Sequence, residues 1–398
     1  MSKQQVNAGG VLKAEDIVGR DAFIRRAWRT LESQGLYITG ERRMGKTSII
    51  RDKMAIAPPK GYKLLYFDVA NADSPHVFVD ELFHKAKELA STGGKAKLVV
   101  LEVAQRLLPK LEVPNIVRLP EGLAPSWKEM LHAVLQDFAN MDAKIVLAFD
   151  EMPLMLDKIK RSSGENMAMD VLDTLRKERQ TNNQLRMIYT GSLGLHHVLN
   201  ALQTANYQNA PLNDLKAVEV GPLLEEDARD LAWRLLNGME ISTGNPELLA
   251  QHLARITDGM AFYIQHLVSD LADSDGVCTT ETADKFLTRR LSDLTDPWDL
   301  GYYKTRIDTH YPKEVQLVAF ALLDYLSRAQ AGQIFDDLLG GLNPQTTIVD
   351  EELAQHTLAL LGKDHYIAQD EDGAYRFRYP LIARAWAYKR GLMGRSRR

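Results

Sequence analysis

The sequence predicts an α/β fold, a parallel sheet covered on both faces by helices, followed by an all-helical region and a smaller terminal unit. Three observations carry this expectation. Short apolar runs bounded by turn residues alternate with helical periodicity as far as Val220, the strand signals stop after Gly221-Pro222, and the C-terminal region reads as three helices and a β-hairpin. A chain of 398 residues with 45% apolar content can bury more than one core, since roughly 100–200 residues make a domain.

Residues 35–39 form a short β-type run that ends in a glycine-rich turn, and Thr47-Ser48-Ile49-Ile50 then reads as a helix start. Further buried strands are expected at 63–69, 144–149, 186–190 and 217–220, with helices at 78–89, 127–138 and 167–180 between them. Residues 91–125 carry no clear period. Beyond Pro222, residues 225–236, 246–257, 261–272 and 280–291 all show helical spacing, and 296–312 is turn-rich and reads as a linker. Helices at 313–328, 332–339 and 351–361 precede a hairpin, 366–369 and 374–379, around Asp370-Glu371-Asp372-Gly373. That is the element order of a winged helix.

The turn after the first strand, Gly40-Glu41-Arg42-Arg43-Met44-Gly45-Lys46-Thr47, satisfies the phosphate-loop pattern. Backbone N–H groups must wrap a β-phosphate there, which a Cβ at the tight positions obstructs, and the following helix N-terminus adds partial positive charge. Lys46 is placed to reach β- and γ-phosphates, and the Thr47 hydroxyl to ligate Mg²⁺; Ser48 opens the helix. The run Lys144 to Phe149 delivers Asp150 and Glu151 at its C-terminal end, where open α/β sheets bind ligands. Asp150 is expected to hold Mg²⁺ through water and Glu151 to polarise the attacking water as general base. Thr190 and Ser192, at the end of a later strand, are candidates for sensing the γ-phosphate. His196 and His197 lack metal-ligand spacing with a second cluster.

Val18-Gly19-Arg20, the phosphate loop with its Arg42-Arg43 pair, Asp150-Glu151, Thr190-Gly191-Ser192, the step Gly221-Pro222-Leu223 into a helical region and the C-terminal winged helix together resemble the archaeal-type ATPases. These lie within the AAA+/STAND superfamily of P-loop NTPases. The likeness spans about Ile17 to Gly391. It implies ATP and Mg²⁺ as cofactors, the sheet order 5-1-4-3-2, and nucleotide contact by Val18, Gly19, Arg20, Gly221 and Pro222. It also implies boundaries at 15–221 for the nucleotide-binding domain, 222–300 for a helical lid, 305–391 for the winged helix and 392–398 for a basic tail. Thr257-Asp258-Gly259-Met260-Ala261 is similar to the lid segment that touches nucleotide, with Ala261 where proline is usual. Arg176 and Arg179 are the candidates for an arginine that acts on a neighbouring subunit's nucleotide.

Charged residues make up 26% of the chain and the formal net charge is −4, which excludes a disordered chain and a wholly basic nucleic-acid coat. The lone Cys278 excludes a disulfide framework and a cysteine-based zinc site and suits a reducing compartment. The polar start, with no run of about 18 apolar residues anywhere, points to a cytoplasmic protein without a membrane span. The charge is uneven: Arg376, Arg378, Arg384, Lys389, Arg390, Arg395, Arg397 and Arg398 follow Asp372 with no acid among them, leaving about −12 on the rest. The third helix of the winged helix opens with Asp350-Glu351-Glu352, which repels phosphate and disfavours it as a groove reader. Contact of the basic segment with protein, this molecule's own acids included, is therefore preferred over DNA. Three functional classes stay open: an ATPase coupling nucleotide state to lid and winged-helix movement and to partner or homo-oligomer binding, a slow nucleotide switch or scaffold, and an ATP-controlled DNA-binding protein.

Overall fold

The computed structural model describes residues 3–93, 99, 127–191, 194, 195, 197–199, 209–342 and 350–393. Ser192, His196, Arg395, Arg397 and Arg398 lie outside the described residues. The chain forms two compact units, Leu12–Val220, and Met1–Val11 together with Gly221–Arg398.

In the first unit, α1 (Asp21–Leu31) precedes β1 (Gly35–Thr39), a π-helical segment numbered α2 (Ser48–Met54) and β2 (Tyr62–Asp68). Then come α3 (Pro75–Gly93), α4 (Trp127–Ala139), β3 (Lys144–Asp150), α5 (Met152–Ser163), α6 (Glu165–Thr181), β4 (Leu185–Thr190) and β5 (Leu215–Glu219). Among the described residues these strands form one sheet in the order β2-β3-β4-β1-β5, all pairs parallel, which is the order the resemblance implies. β3 is buried from Ile145 through Asp150, as a strand covered on both faces must be. One face carries Phe67 and Phe149, which meet Phe138 of α4 and Phe78 of α3 edge-on. The opposite face presents Tyr62, whose ring meets Trp28 of α1 at 5.5 Å.

Arg179 of α6 is buried against β4. Its guanidinium donates to both carboxylate oxygens of Asp214 at 2.8 and 2.9 Å, to the Pro211 carbonyl at 2.7 Å and to the Tyr189 hydroxyl. Burial works against the charged form of Asp214, but the Arg179 hydrogen bonds and charge outweigh it and hold that carboxyl below its usual range.

The second unit begins with α7 (Glu225–Gly238), α8 (Pro246–Ile256), α9 (Ala261–Ala272) and α10 (Thr280–Ser292). Asn245 caps α8 by accepting from Leu248 N–H, and Thr279 caps α10 in a reciprocal box with Thr282. The N-terminal segment is tied to this array: Gln4 N–H donates to the Arg234 carbonyl, and Asn7 N–H to Gln265 Oε1 at 2.8 Å.

The expected linker is corrected here, because it contains a helix, α11 (Tyr302–His310). Tyr303, Arg306 and Ile307 share its buried face. Arg306 donates to the Tyr366 hydroxyl at 2.9 Å and the Asp364 carbonyl at 2.7 Å, and the neighbouring Tyr311 hydroxyl donates to Asp364 Oδ2 at 2.6 Å. A charged residue on the inward face broke the apolar period that marks the other helices.

The winged helix follows as α12 (Lys313–Leu326), α13 (Phe335–Gly341), α14 (Glu351–Lys363), β6 (Ile367–Gln369), β7 (Tyr375–Phe377) and α15 (Pro380–Lys389). Gln333 exchanges backbone hydrogen bonds with Tyr375, which adds a third extended segment to the wing. Two of the basic C-terminal residues are spent within this unit. Arg390 donates to both oxygens of Asp324 at 2.9 and 2.7 Å, and Lys389 donates to the Asp293 carbonyl at 2.8 Å and pairs with Asp296 at 3.0 Å. Asp258, after α8, accepts the Leu381 N–H at 2.6 Å and so caps α15. No helix among the described residues is long and apolar enough to cross a membrane.

Two predictions follow from these contacts. Arg179→Ala leaves the half-buried Asp214 without its partner and should cost about 1–3 kcal/mol, read as a lower denaturation midpoint. Burial raises the Asp258 carboxyl to about 6, although the Leu381 N–H and Arg384 pull the other way. The folded state thus holds this proton more tightly than the unfolded chain, so its contribution to stability is complete below about pH 4 and is lost as pH rises through 6. Asp258→Asn keeps an acceptor for Leu381 and removes the titration; melting curves should show it gaining about 1–3 kcal/mol on the parent between pH 4 and 7.

Candidate functional site

β1 ends at Thr39, and the loop from Gly40 to Thr47 leaves the C-terminal edge of the sheet. Gly40 has φ +131°, and a Cβ there would lie 2.3 Å from the Val220 carbonyl oxygen, so the position accepts only glycine. Arg43 takes up left-handed backbone at φ 69° despite its side chain. Lys46 closes the loop from inside: its buried ammonium donates to the carbonyls of Gly40 at 2.7 Å and Glu41 at 3.0 Å. The Glu41 carboxylate accepts the Arg42 N–H at 2.7 Å, and Arg20, largely buried, donates to the Met44 carbonyl at 3.0 Å. Arg20 thus pins the loop from the segment before α1. Lys53 of α2 reaches back to the Ile17 carbonyl at 2.9 Å, which holds the stretch containing Val18 and Gly19 against the loop's helix.

The loop is joined to the sheet through Asp150, which is buried at the end of β3. Its Oδ2 accepts the Thr47 hydroxyl at 2.6 Å and the Tyr66 hydroxyl at 2.9 Å, while Oδ1 accepts the Glu151 N–H at 3.1 Å. Burial and the Asp150 charge push the Tyr66 hydroxyl far above its ordinary range, so it stays protonated and donates. Glu151 stands in left-handed backbone at φ 59°, and its carbonyl accepts the Met155 N–H at 3.1 Å to begin α5. A Cβ on Gly191 would fall 2.5 Å from Pro153 Cδ, so this glycine lets the end of β4 pass the Pro153 ring at the start of α5, with Glu151 Oε2 at an ordinary contact distance of 3.4 Å.

The sheet order sets these groups side by side, since Gly40, Thr190 and Asp150 end the adjacent strands β1, β4 and β3. Thr190 is fully buried and its hydroxyl has no hydrogen-bond partner among the described residues. Asp68, at the end of β2, pairs in register with Asp150 of β3, and Glu81 nearby is raised to about 7 by burial and by the charges of Asp68 and Asp80.

Lys46, Thr47, Asp150, Glu151, Thr190 and Arg20 therefore gather at one edge of the first unit. Gly221 and Pro222 open the second unit, where the next residue, Leu223, donates its N–H to the Gly259 carbonyl at 3.0 Å. Arg179 as a trans-acting arginine is corrected, because its guanidinium is buried in the Asp214 and Tyr189 contacts. Arg176 lends its charge to the same Asp214. Sequence reasoning missed Tyr66, whose place in a strand looks like ordinary packing, and the steric role of Gly191.

Among the described residues no three His, Cys, Asp or Glu side chains converge on a metal position. One hydroxyl and one carboxylate suit Mg²⁺, which keeps waters and takes substrate phosphates as ligands. They do not suit a protein-built zinc or calcium cage.

No protein-family profile matches the sequence, and no curated protein matches it. Solved structures do match the fold. A Walker-type ATPase of Pyrococcus abyssi is similar at 17% identity, with 96% of this chain and 99% of that one covered and a TM-score of 0.65. The ORC2 protein of Aeropyrum pernix, solved as ADPNP–ADP complexes, is similar at 11% identity, with 96% and 97% covered and a TM-score of 0.55. The chain has the fold of these proteins over nearly its whole length: a P-loop α/β domain, a helical lid and a winged helix.

Proposed function

We propose that the chain binds ATP with Mg²⁺ at the edge of the first unit and hydrolyses it to ADP and phosphate. The observation that carries this reading is the 2.6 Å hydrogen bond between Thr47 and Asp150, beside a glycine loop closed by Lys46. The fold shared with a Walker-type ATPase supports it.

Lys46 moves from the loop carbonyls to the β- and γ-phosphates, while Thr47 and Asp150 hold Mg²⁺. When bound, the ion neutralises phosphate oxygens. Glu151 takes the proton of the attacking water, held in place by its left-handed backbone and the room left by Gly191. An unsatisfied buried hydroxyl costs about 1–3 kcal/mol, which Thr190 recovers by donating to an oxygen in the site; Ser192 is the second candidate for this sensing role. Val18, Gly19 and Arg20, and with them Gly221 and Pro222, are the nucleotide-contacting residues that the resemblance implies. Residues 15–221 carry the chemistry, and the lid (222–300) and winged helix (305–391) change position with nucleotide state to alter partner or self-association. The internal pairing of Lys389 and Arg390 favours protein contact over DNA for the basic segment. The commitment of Arg179 to Asp214 favours a slow switch over a fast ring enzyme. The lone Cys278, buried and unpaired with another cysteine, supports a reducing, cytoplasmic setting.

Three variants test these roles. Lys46→Ala should weaken ATP binding about 10–100-fold in calorimetry, the worth of charge-assisted hydrogen bonds to phosphate. Glu151→Gln should bind ATP as the parent does and lose about 10²–10⁴-fold in phosphate release. Gly191→Ala, by pushing on the Pro153 ring and so on the start of α5 beside Glu151, should lower turnover while leaving ATP affinity within about twofold of the parent.

A further inference from the structure

We infer that Tyr66 is a positioning residue for the Asp150 carboxylate, holding it in the one orientation in which Thr47 and Asp150 serve the same metal ion. This rests on the Mg²⁺–ATP reading of the site above.

Asp150 is buried, yet its side chain takes no ion pair among the described residues. It is held by the Thr47 and Tyr66 hydroxyls on Oδ2 and by the Glu151 N–H on Oδ1. Of these donors, Thr47 has a second task. A hydroxyl has one hydrogen and two lone pairs, so Thr47 can ligate a metal only with its oxygen turned toward the ion, which loosens its grip on Asp150. The Glu151 N–H lies on backbone bent into the left-handed region and donates at 3.1 Å, the longest of the contacts. Tyr66 is the donor free of other duty. Its residue pairs with Ala148 across a parallel ladder, two positions before Asp150, so the rigid ring spans the distance along the same face of the sheet.

Arg51 makes this restraint necessary. Its guanidinium feels the charge of Asp150, but Asp52 holds it at 2.6 and 2.9 Å. A carboxylate that lost the Tyr66 hydroxyl can turn toward Arg51 and away from the metal position. Ring packing alone does not account for the residue, because phenylalanine would fill the same space without reaching Asp150 at 2.9 Å.

The test is Tyr66→Phe, read by ATP binding in a calorimeter across a Mg²⁺ titration and again in EDTA, with thermal melting alongside. The Mg²⁺ concentration at half-effect should rise about 10–100-fold, as expected for one hydrogen bond to a charged group, while affinity in EDTA stays put and the melting temperature falls by only a few degrees. An unchanged Mg²⁺ midpoint overturns the inference and leaves the ATP reading intact. Equal losses with and without Mg²⁺ also overturn it, since they mark a packing role. A parent protein whose ATP binding ignores Mg²⁺ overturns both.

Discussion

A carboxylate buried where Asp150 lies must be satisfied, because an unpaired charge out of water costs several kcal/mol. It meets that demand with donors from three places in the chain: Thr47 after the phosphate loop, Tyr66 on the edge strand β2, and Glu151 next in sequence. The loop is therefore fastened to the sheet by electrostatics as well as by chain connection. Every other feature of the site is positioned relative to this joint.

The parallel order does the rest. With β4 between β3 and β1, the ends of these strands bring Thr190 between Asp150 and the start of the loop. Crowding at this edge is relieved in the backbone, where Glu151 and Arg43 take left-handed conformations that side chains ordinarily avoid. Strain of this kind is kept only where surrounding contacts impose it. For Glu151 these are the Asp150 contact, the start of α5 and the closeness of Gly191.

The strands and most helices were legible in the sequence because each buries an apolar run or stripe with the right period. β1 lies at the expected residues, and β2 begins one residue early, at Tyr62, and ends one early, at Asp68. The phosphate loop and Asp150-Glu151 were legible because their chemistry needs particular residues at fixed spacing. α11 was not, since Arg306 stands on its buried face and turn residues flank it. Tyr66 was hidden for a related reason: an aromatic in a strand satisfies β-propensity, and its hydroxyl's partner lies 84 residues away. Nor does any local pattern announce that the segment around Gln4 and Asn7 belongs with α7 and α9, because hydrogen bonds such as Asn7 to Gln265 leave no period.

That last attachment alters how the molecule is threaded. The N-terminal segment belongs to the lid and winged-helix unit, so the α/β unit is inserted into its companion, and the chain passes between them twice, near Val11–Leu12 and near Val220–Gly221. Cutting the chain before Leu12 therefore removes hydrogen bonds from the second unit and no residue from the first, so the loss in stability falls on the unit that lies farther along the sequence.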